Sequence, residues 1–536
     1  MAIRKKRLVL IVLVLALLVS GCSMEVLEEL LNSYYSTPTV HFRDMEYTHP
    51  DMMELEKTLS KSCETLASTR DIDAAMEAVY AFYDVYDRFY TNYNLADLNY
   101  SRDLTDLGWE EEYYYCAENA ASVDAGLEEL YYTIADAPLR KQLEEDFFGE
   151  GYFESYEGES IWDDTFLALM EQEAQLQSEY YALSDEALEY EYYSEEYFAE
   201  SGTKMAELFV ELIALRQQIA EYAGYESYPQ FAYDFYYYRD YTPEQAESYL
   251  KQIGQRFYDL YVRLELPEVW DAMGRYCAEA DTFGYVKNAA SAMGGTPAKA
   301  FALLEEAGLY DIAYGENKYN SSFELYLWSY YEPFIFMNPY LDQTDKLTFA
   351  HEFGHFCNDY VCSGSYAGTD IAEVHSQAFE YLSLCYGQDT ELLTKYKLAD
   401  SLSVYMEQAA YALFEQQVYG LKGEALTVEN VAALYEKIGT DFGFDSWDWD
   451  SRDYVTVTHY YTNPMYIVSY VVSNDLALQI YQLELQEQGK GLALYEECLN
   501  SQDSYIIEFA NTYGLESPFT LKRLEKLEAL FTGHIE

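Results

Sequence analysis

The sequence predicts a mainly α-helical protein with one short β-segment. Apolar, Tyr, Leu and Ala positions recur at three- and four-residue steps, the period of helices that bury one face. Glycine and proline are few between 46 and about 200, so little there interrupts a helix. Strand-like composition is confined to about 323–337. Half of the 536 residues are hydrophobic and 17% are aromatic, which is enough apolar surface for a large core and excludes a disordered chain.

The elements follow in order. Arg4-Lys5-Lys6-Arg7 before the apolar run Leu8 to Val19 has the layout of a secretory signal and is too short for a comfortable membrane span. The run closes on Val19-Ser20-Gly21-Cys22, which resembles a bacterial lipobox. Residues 1–21 are therefore expected to be a lipoprotein signal peptide, and Cys22 a lipid-modified N-terminus. Residues 22–45 read as a tether and 46–200 as an N-terminal helical region. That region includes the Tyr/Glu-rich stretch Tyr190 to Tyr197, where each tyrosine offers a packing face and a polar tip.

Residues 201–536 form the second region. A helix is expected from Met205 to Ala223, with Leu208, Leu212, Leu215, Ile219 and Tyr222 on one face and Gly224 as its C-terminal stop. Thr242-Pro243-Glu244-Gln245 predicts a capping box that opens the next helix. Phe323 to Leu327 and Phe334 to Met337 are candidate strands joined by a turn at Tyr331-Glu332-Pro333. Thr344 is the expected cap of a helix that starts at Asp345.

Charge and cysteine content narrow the function. The chain carries 95 acidic and 32 basic residues, a formal net charge of -63, which repels a phosphate backbone and excludes nucleic-acid binding. Such acidity reads first as a solvated surface and second as a means of steering basic peptides. Seven cysteines follow Cys22, with no C-x-x-C among them, and most are expected to be buried single thiols.

The chemistry concentrates at His351-Glu352-Phe353-Gly354-His355. On a helix the two histidines leave the same face one turn apart and can grip one zinc ion, with Glu352 beside the first as general base. A third histidine at the spacing of three-histidine sites is absent, since position 361 is Val361. Downstream, Asp370, Glu373, Gln377 and Glu380 share one side of a second helix, where a carboxylate could complete the site. Acidic stripes are also the ordinary solvated face of a helix. His375 points away from Glu373 and is expected to pack rather than ligate, and Cys357 and Cys362 lack the helical spacing for zinc. Read on its own, Thr458 to Tyr470, with His459, Tyr466 and Tyr470, is a core helix face or a set of neutral hydrogen-bond donors.

Together these segments resemble the M3 family of zinc metallopeptidases, the oligoendopeptidase F and thimet oligopeptidase group, and its M3B-like members above all. Arg216 to Ala220 leading into Gly224 to Tyr228, then Arg239 to Thr242, resembles the approach to the family's catalytic region. Pro333 to Asn338 resembles the strand before the zinc helix, and His351 to His355 with Asp370 to Glu380 the two zinc-binding helices. The resemblance covers residues 205 to 475 and, more weakly, the N-terminal part. It implies two helical halves flanking a deep substrate channel, with a small β-sheet next to the zinc-binding helix. It also implies one zinc held by His351, His355 and Glu373, with Glu380 and Asp370 in support. His459 and Tyr466 would stabilise the transition state or hold the substrate backbone, with help from Tyr470. Two departures stand out: a shorter interval between His355 and Glu373, and Glu316 to Ser322 in place of a glycine-rich loop.

The resulting expectation is a monomeric, lipid-anchored, extracytoplasmic metalloendopeptidase acting on oligopeptides, which a strand edge near Phe334 to Met337 could hold. A peptide-binding surface lipoprotein with little turnover is the alternative. A purely adhesive protein would have no use for an intact HEFGH with a matching Glu373.

Overall fold

The computed structural model describes residues 40–535 except 159, 188–189, 191–192, 265, 365–367, 445–448 and 502. The expected signal peptide, Cys22 and most of the tether lie outside the described residues, as does part of the Tyr/Glu-rich stretch. No described helix is long and apolar enough to cross a membrane. Three helices open the described chain: α1 (Met52–Ser68), α2 (Ile72–Arg102) and α3 (Leu107–Ala135).

Two compact units divide the described residues. The smaller takes in 40–92, 123–160 and 327–332. Within it, Asp51 caps α1 by accepting the Glu54 amide at 3.1 Å, and the buried Ser62 hydroxyl donates to the Ala78 carbonyl at 2.8 Å. Tyr86 and Tyr90 turn their hydroxyls onto one carboxylate oxygen of Asp124, at 3.1 and 2.5 Å, while their rings pack with centroids 4.9 Å apart. These tyrosines thus build a packed interior, their rings burying apolar area while both hydroxyls reach Asp124.

The larger unit takes in 93–122, 161–326 and 333–535. Its helices that bear on function are α4 (Asp164–Ala187), α5 (Thr203–Tyr222), α6 (Tyr228–Phe235) and α7 (Pro243–Tyr261), then α8 (Asp345–Cys362), α9 (Thr369–Tyr386) and α10 (Glu391–Ser403). Near the C-terminus come α11 (Ala409–Val418), the short α12 (Thr458–Thr462) and α13 (Val468–Gln486). Helix α5 buries Leu208, Leu212, Leu215 and Ile219 as expected and ends in a Schellman turn, with Gly224 at φ 85° and the Tyr225 amide donating to the Ala220 carbonyl. Tyr222 departs from that face: it is 42% exposed and its hydroxyl donates to Asp163. The capping box at Thr242 and Gln245 forms in full.

A three-stranded sheet completes the unit: β1 (Tyr310–Asp311), β2 (Ser322–Leu327) and β3 (Glu332–Met337), in the order β1-β3-β2. β1 runs parallel to β3, pairing Tyr310 with Ile335 and Asp311 with Phe336. The turn between β2 and β3 falls two to three residues earlier than expected, at 328–331, so Glu332 and Pro333 begin the strand. β3 is buried throughout and lies between its two neighbours. The expected free edge at Phe334 to Met337 is therefore already paired on both sides, and β2 and β1 are the edges. The loop before β2 is fixed by the buried Lys318, whose ammonium donates to Asp311 at 2.8 Å and to the Ala313 and Met337 carbonyls at 2.7 and 3.0 Å.

Helix α8 leaves the sheet through a turn that Asp342 closes. Its carboxylate accepts the Thr344 amide at 2.8 Å and the Thr344 hydroxyl, so Thr344 stands at the expected N-cap position while its side chain caps no helix amide. Gly354, inside the HEFGH pentapeptide, is where α8 meets α9. A Cβ there would lie 2.5 Å from the Ser376 Cα and 2.7 Å from the His375 carbonyl oxygen, distances only backbone movement could relieve. Gly354→Ala is expected to destabilise the protein by at least about 2 kcal/mol in urea unfolding, because overpacking against rigid backbone costs about 1–3 kcal/mol. Gly284→Ala, in a helix with nothing within 4 Å of the added carbon, is the control and should be neutral or stabilising.

Candidate active site

One turn of α8 separates His351 from His355, and their rings sit 5.0 Å apart, centroid to centroid. Glu373 reaches them from α9, with one carboxylate oxygen 3.4 Å from His351 Nε2 and the other 3.8 Å from His355 Nε2. The ligand atoms of all three residues lie within 4.8 Å of one another. Ligands at 2.0–2.1 Å from a tetrahedral zinc stand about 3.4 Å apart, so this donor set fits one such ion with little adjustment.

Glu380, two turns beyond Glu373 on α9, accepts from His351 Nδ1 at 2.9 Å. That bond turns Nε2 toward Glu373 and matches the carboxylate–histidine pairing that orients metal ligands. The second Glu380 oxygen meets Lys397 Nζ, on α10, at 2.6 Å. Burial alone would raise the Glu380 carboxyl, but Lys397 and His351 outweigh it and hold the group below the usual carboxylate range. Burial also opposes a charge on His351, yet Glu380 and Glu373 raise it to about 9, while burial and the neighbouring His351 push His355 well down. Three buried carboxylates, Glu352, Glu373 and Glu380, thus surround two imidazoles, an arrangement that a divalent cation neutralises.

Glu352 is buried beside this group, next to His351 on α8. Burial raises its carboxyl to about 7, opposed by His351 and reinforced by Glu373 and Glu380. On the other side, the Tyr466 hydroxyl donates to Glu373 Oε1 at 2.6 Å, and His459 Nε2 lies 3.1 Å from the Tyr470 hydroxyl. The three rings pack with centroids 5.3–5.7 Å apart. Burial lowers the His459 pKa, opposed by Glu373, so its imidazole is held neutral. Thr458 to Tyr470 is not one helix face: α12 ends at Thr462, Met465 has φ 68°, and Tyr466 precedes α13 while Tyr470 lies in its first turn.

Asp370 sits apart from the ligands. Its carboxylate accepts from Arg239 Nε at 3.3 Å, Tyr241 at 2.9 Å and Ser469 at 2.5 Å, which ties α9 to the start of α13. Gln377 does the same two turns on, donating to the Tyr470 carbonyl and to Ser473. His375 packs, as expected: it is 1% exposed between Tyr495 and Phe509, and burial lowers its pKa to about 3. All seven described cysteines are unpaired, with Cys357 buried and Cys362 half-buried. Sequence reasoning missed Lys397 and the pairing role of Arg239. A lone lysine and arginine in an acidic chain carry no motif, and only their buried partners reveal them.

Residues 42–160 match the model of the Peptidase M3 N-terminal domain. This stretch is similar to the N-terminal domain of peptidase M3. The match falls in the helical region where the quoted motifs carry the resemblance least, and so adds to them. The fold as a whole is similar to that of several solved structures. A 3.1 Å X-ray structure assigned as oligoendopeptidase F has a TM-score of 0.81 at 17% identity, covering 92% of this chain and 98% of its own. PZ peptidase A with an inhibitor has a TM-score of 0.80 at 18% identity, covering 92% and 100%. A structure assigned as oligoendopeptidase F from Bacillus anthracis str. Ames has a TM-score of 0.78 at 18% identity, covering 93% and 98%. No curated protein sequence matches. The mainly helical M3 fold with its small sheet beside the HEFGH helix thus agrees with the expectation.

Glu380→Gln keeps the hydrogen bond to His351 while removing the charge that Lys397 stabilises. Its zinc affinity, measured by competition with a chelator, is expected to fall about 10- to 100-fold, the usual effect of losing a partner of a metal-bound histidine. An unchanged affinity would mean that Glu380 does not tune the site.

Proposed function

We propose that the protein is a zinc-dependent peptidase that hydrolyses oligopeptides outside the cytoplasm, anchored to a bacterial membrane through lipid on Cys22. The observation that carries the catalytic reading is the convergence of His351, His355 and Glu373, with Glu352 and Tyr466 touching the same group from two sides. A zinc ion held by these ligands would supply Lewis-acid polarisation of the scissile carbonyl and an acidified water. Glu352 takes the proton of the attacking water and later delivers it to the leaving amine. Its burial suits both steps, because a carboxyl raised to about 7 accepts and returns a proton near neutral pH.

Tyr466 and the neutral His459 are donors for the oxyanion, and Tyr470 orients the imidazole through the bond to Nε2. An extended peptide adding to the edge strand β2 would run along Ser322 to Leu327. The N-terminal sequence supports the location, through its basic start, its apolar run and Cys22 at the end of the lipobox.

Glu352→Gln should keep about one zinc per chain and lose cleavage of a mixed peptide pool by about 10²- to 10⁴-fold, read by mass spectrometry with and without chelator. A zinc-loaded wild-type protein inert on that pool would sink the reading. For the anchor, Cys22→Ala should move the protein from the membrane to the soluble fraction; an unchanged distribution would argue against lipid on Cys22.

A further inference from the structure

The end of α12 lacks its usual hydrogen-bond donors, and the cause is in the sequence. In a continuing helix the carbonyls of Tyr460 and Tyr461 would accept from the amides of residues 464 and 465. Residue 464 is Pro464, which has no N–H. The Met465 amide donates instead to Glu415 Oε1 on α11, at 2.7 Å, from a backbone at φ 68°. Two consecutive carbonyls between His459 and Tyr466 are thereby left for another donor.

Arg216, on α5, fills both places. It is fully buried, and its guanidinium donates to the Tyr460 carbonyl at 2.6 Å and to the Tyr461 carbonyl. Its Nε is fixed by Glu173 on α4 at 2.6 Å, and the same nitrogen that reaches Tyr460 lies 3.4 Å from the Tyr419 hydroxyl. Glu173, Gln177 and Tyr180 lie on one face of α4, and all three act on this segment. Gln177 donates to the Tyr461 and Thr462 carbonyls at 3.3 Å each, and the Tyr180 ring stacks on Tyr461 with centroids 3.8 Å apart. Beyond the proline, Tyr237 donates to the Pro464 carbonyl at 2.7 Å, and its ring packs edge-on to Tyr466. A buried ion pair is often no more stable than apolar residues of the same volume, so stability does not account for Arg216. The guanidinium adds direction: its planar fork holds two adjacent carbonyls and Glu173 in one fixed geometry, which a rotating ammonium does not impose.

We propose that Arg216, oriented by Glu173, is the positioning residue that sets the His459 imidazole and the Tyr466 hydroxyl before substrate arrives. The inference rests on the peptidase reading above and adds to it a segment already in its working geometry in the free enzyme. Arg216 acts through the backbone at Tyr460 and Tyr461 and touches no reacting atom.

The test compares full-length wild type, Arg216→Lys, Tyr466→Phe and the double variant on one fluorogenic peptide taken from the cleaved pool, with zinc content checked in each. Arg216→Lys should keep one zinc per chain and a KM within about twofold, while kcat falls about 10- to 100-fold, approaching the loss of an oxyanion donor. Added to Tyr466→Phe, it should cost less than about threefold more, because the group it positions is already gone. Hydrogen exchange by mass spectrometry gives a readout independent of turnover. Amides of 459–467 should exchange slowly in wild type and at least about tenfold faster in Arg216→Lys, with α8 unchanged. Effects that multiply in the double variant, a wild-type kcat in Arg216→Lys, or an unprotected 459–467 segment in wild type would each overturn the proposal. If Arg216→Lys does not fold, Glu173→Gln, which keeps an acceptor for Nε but not its charge, is held to the same criteria. An inert wild type with a protected segment would refute the peptidase reading alone and leave the clamp standing.

Discussion

The close approach of α8 and α9 at Gly354 is the constraint on which the rest of the site depends. Two helices with side chains at their crossing stand 8–10 Å apart, too far for a short glutamate to reach between two histidines of its neighbour. With hydrogen in place of a side chain at 354, the backbone of α8 settles against Ser376 and the His375 carbonyl, and Glu373 comes within 3.4–3.8 Å of both imidazoles. The same contact places Glu380 under His351 Nδ1 two turns later. One missing Cβ therefore sets both the ligand triad and the carboxylate behind it.

Buried cations organise what surrounds that crossing. The chain has only 32 basic residues against 95 acidic ones, yet Arg216, Arg239 and Lys397 are withdrawn from solvent and each is paired with a carboxylate on another helix. Lys397 holds Glu380 ionised under a ligand, Arg239 joins α9 to α13 through Asp370 and Ser469, and Arg216 ends α12. Burying a charge costs free energy that its partner only returns when the geometry is right, so such pairs resist slippage between helices more than they add net stability. Arg239 also lies 4.4 and 4.3 Å from the Tyr233 and Tyr237 ring centroids, and this ties the same helix pair to the tyrosine that grips Pro464.

How much of this was legible in the sequence depends on whether a feature is local. His351 and His355 were readable because helical periodicity fixes which side chains share a face, whereas Glu373 was singled out from its acidic stripe only by the family resemblance. The Thr242 capping box and the Gly224 stop were readable because they too are local. Thr344 holds the N-cap position but its side chain caps no amide, because Asp342, two residues earlier, draws its hydroxyl away. The free strand edge was placed on the wrong strand because strand order is a property of pairing, and the two-residue β1 that covers one side of β3 leaves almost no compositional trace. Asp370 and Glu373 share a stripe and differ in function. What separates them is Arg239, which stands 131 residues earlier in the chain.

The segment from Thr458 to Tyr470 shows why a local rule fails where function concentrates. By periodicity His459, Tyr466 and Tyr470 suit one helix, and a helix would have satisfied every amide in the run except the one Pro464 lacks. The observed chain breaks at Asn463, takes a non-glycine residue through the left-handed region at Met465, and delegates two carbonyls and one amide to Arg216 and Glu415. Each of these choices costs free energy locally, of order 1–3 kcal/mol for a strained backbone. Together they bring the Tyr466 hydroxyl to within 2.6 Å of Glu373 while Tyr470, held by the helix that follows, meets His459 from the other side. A regular helix would have kept the local order and lost that convergence.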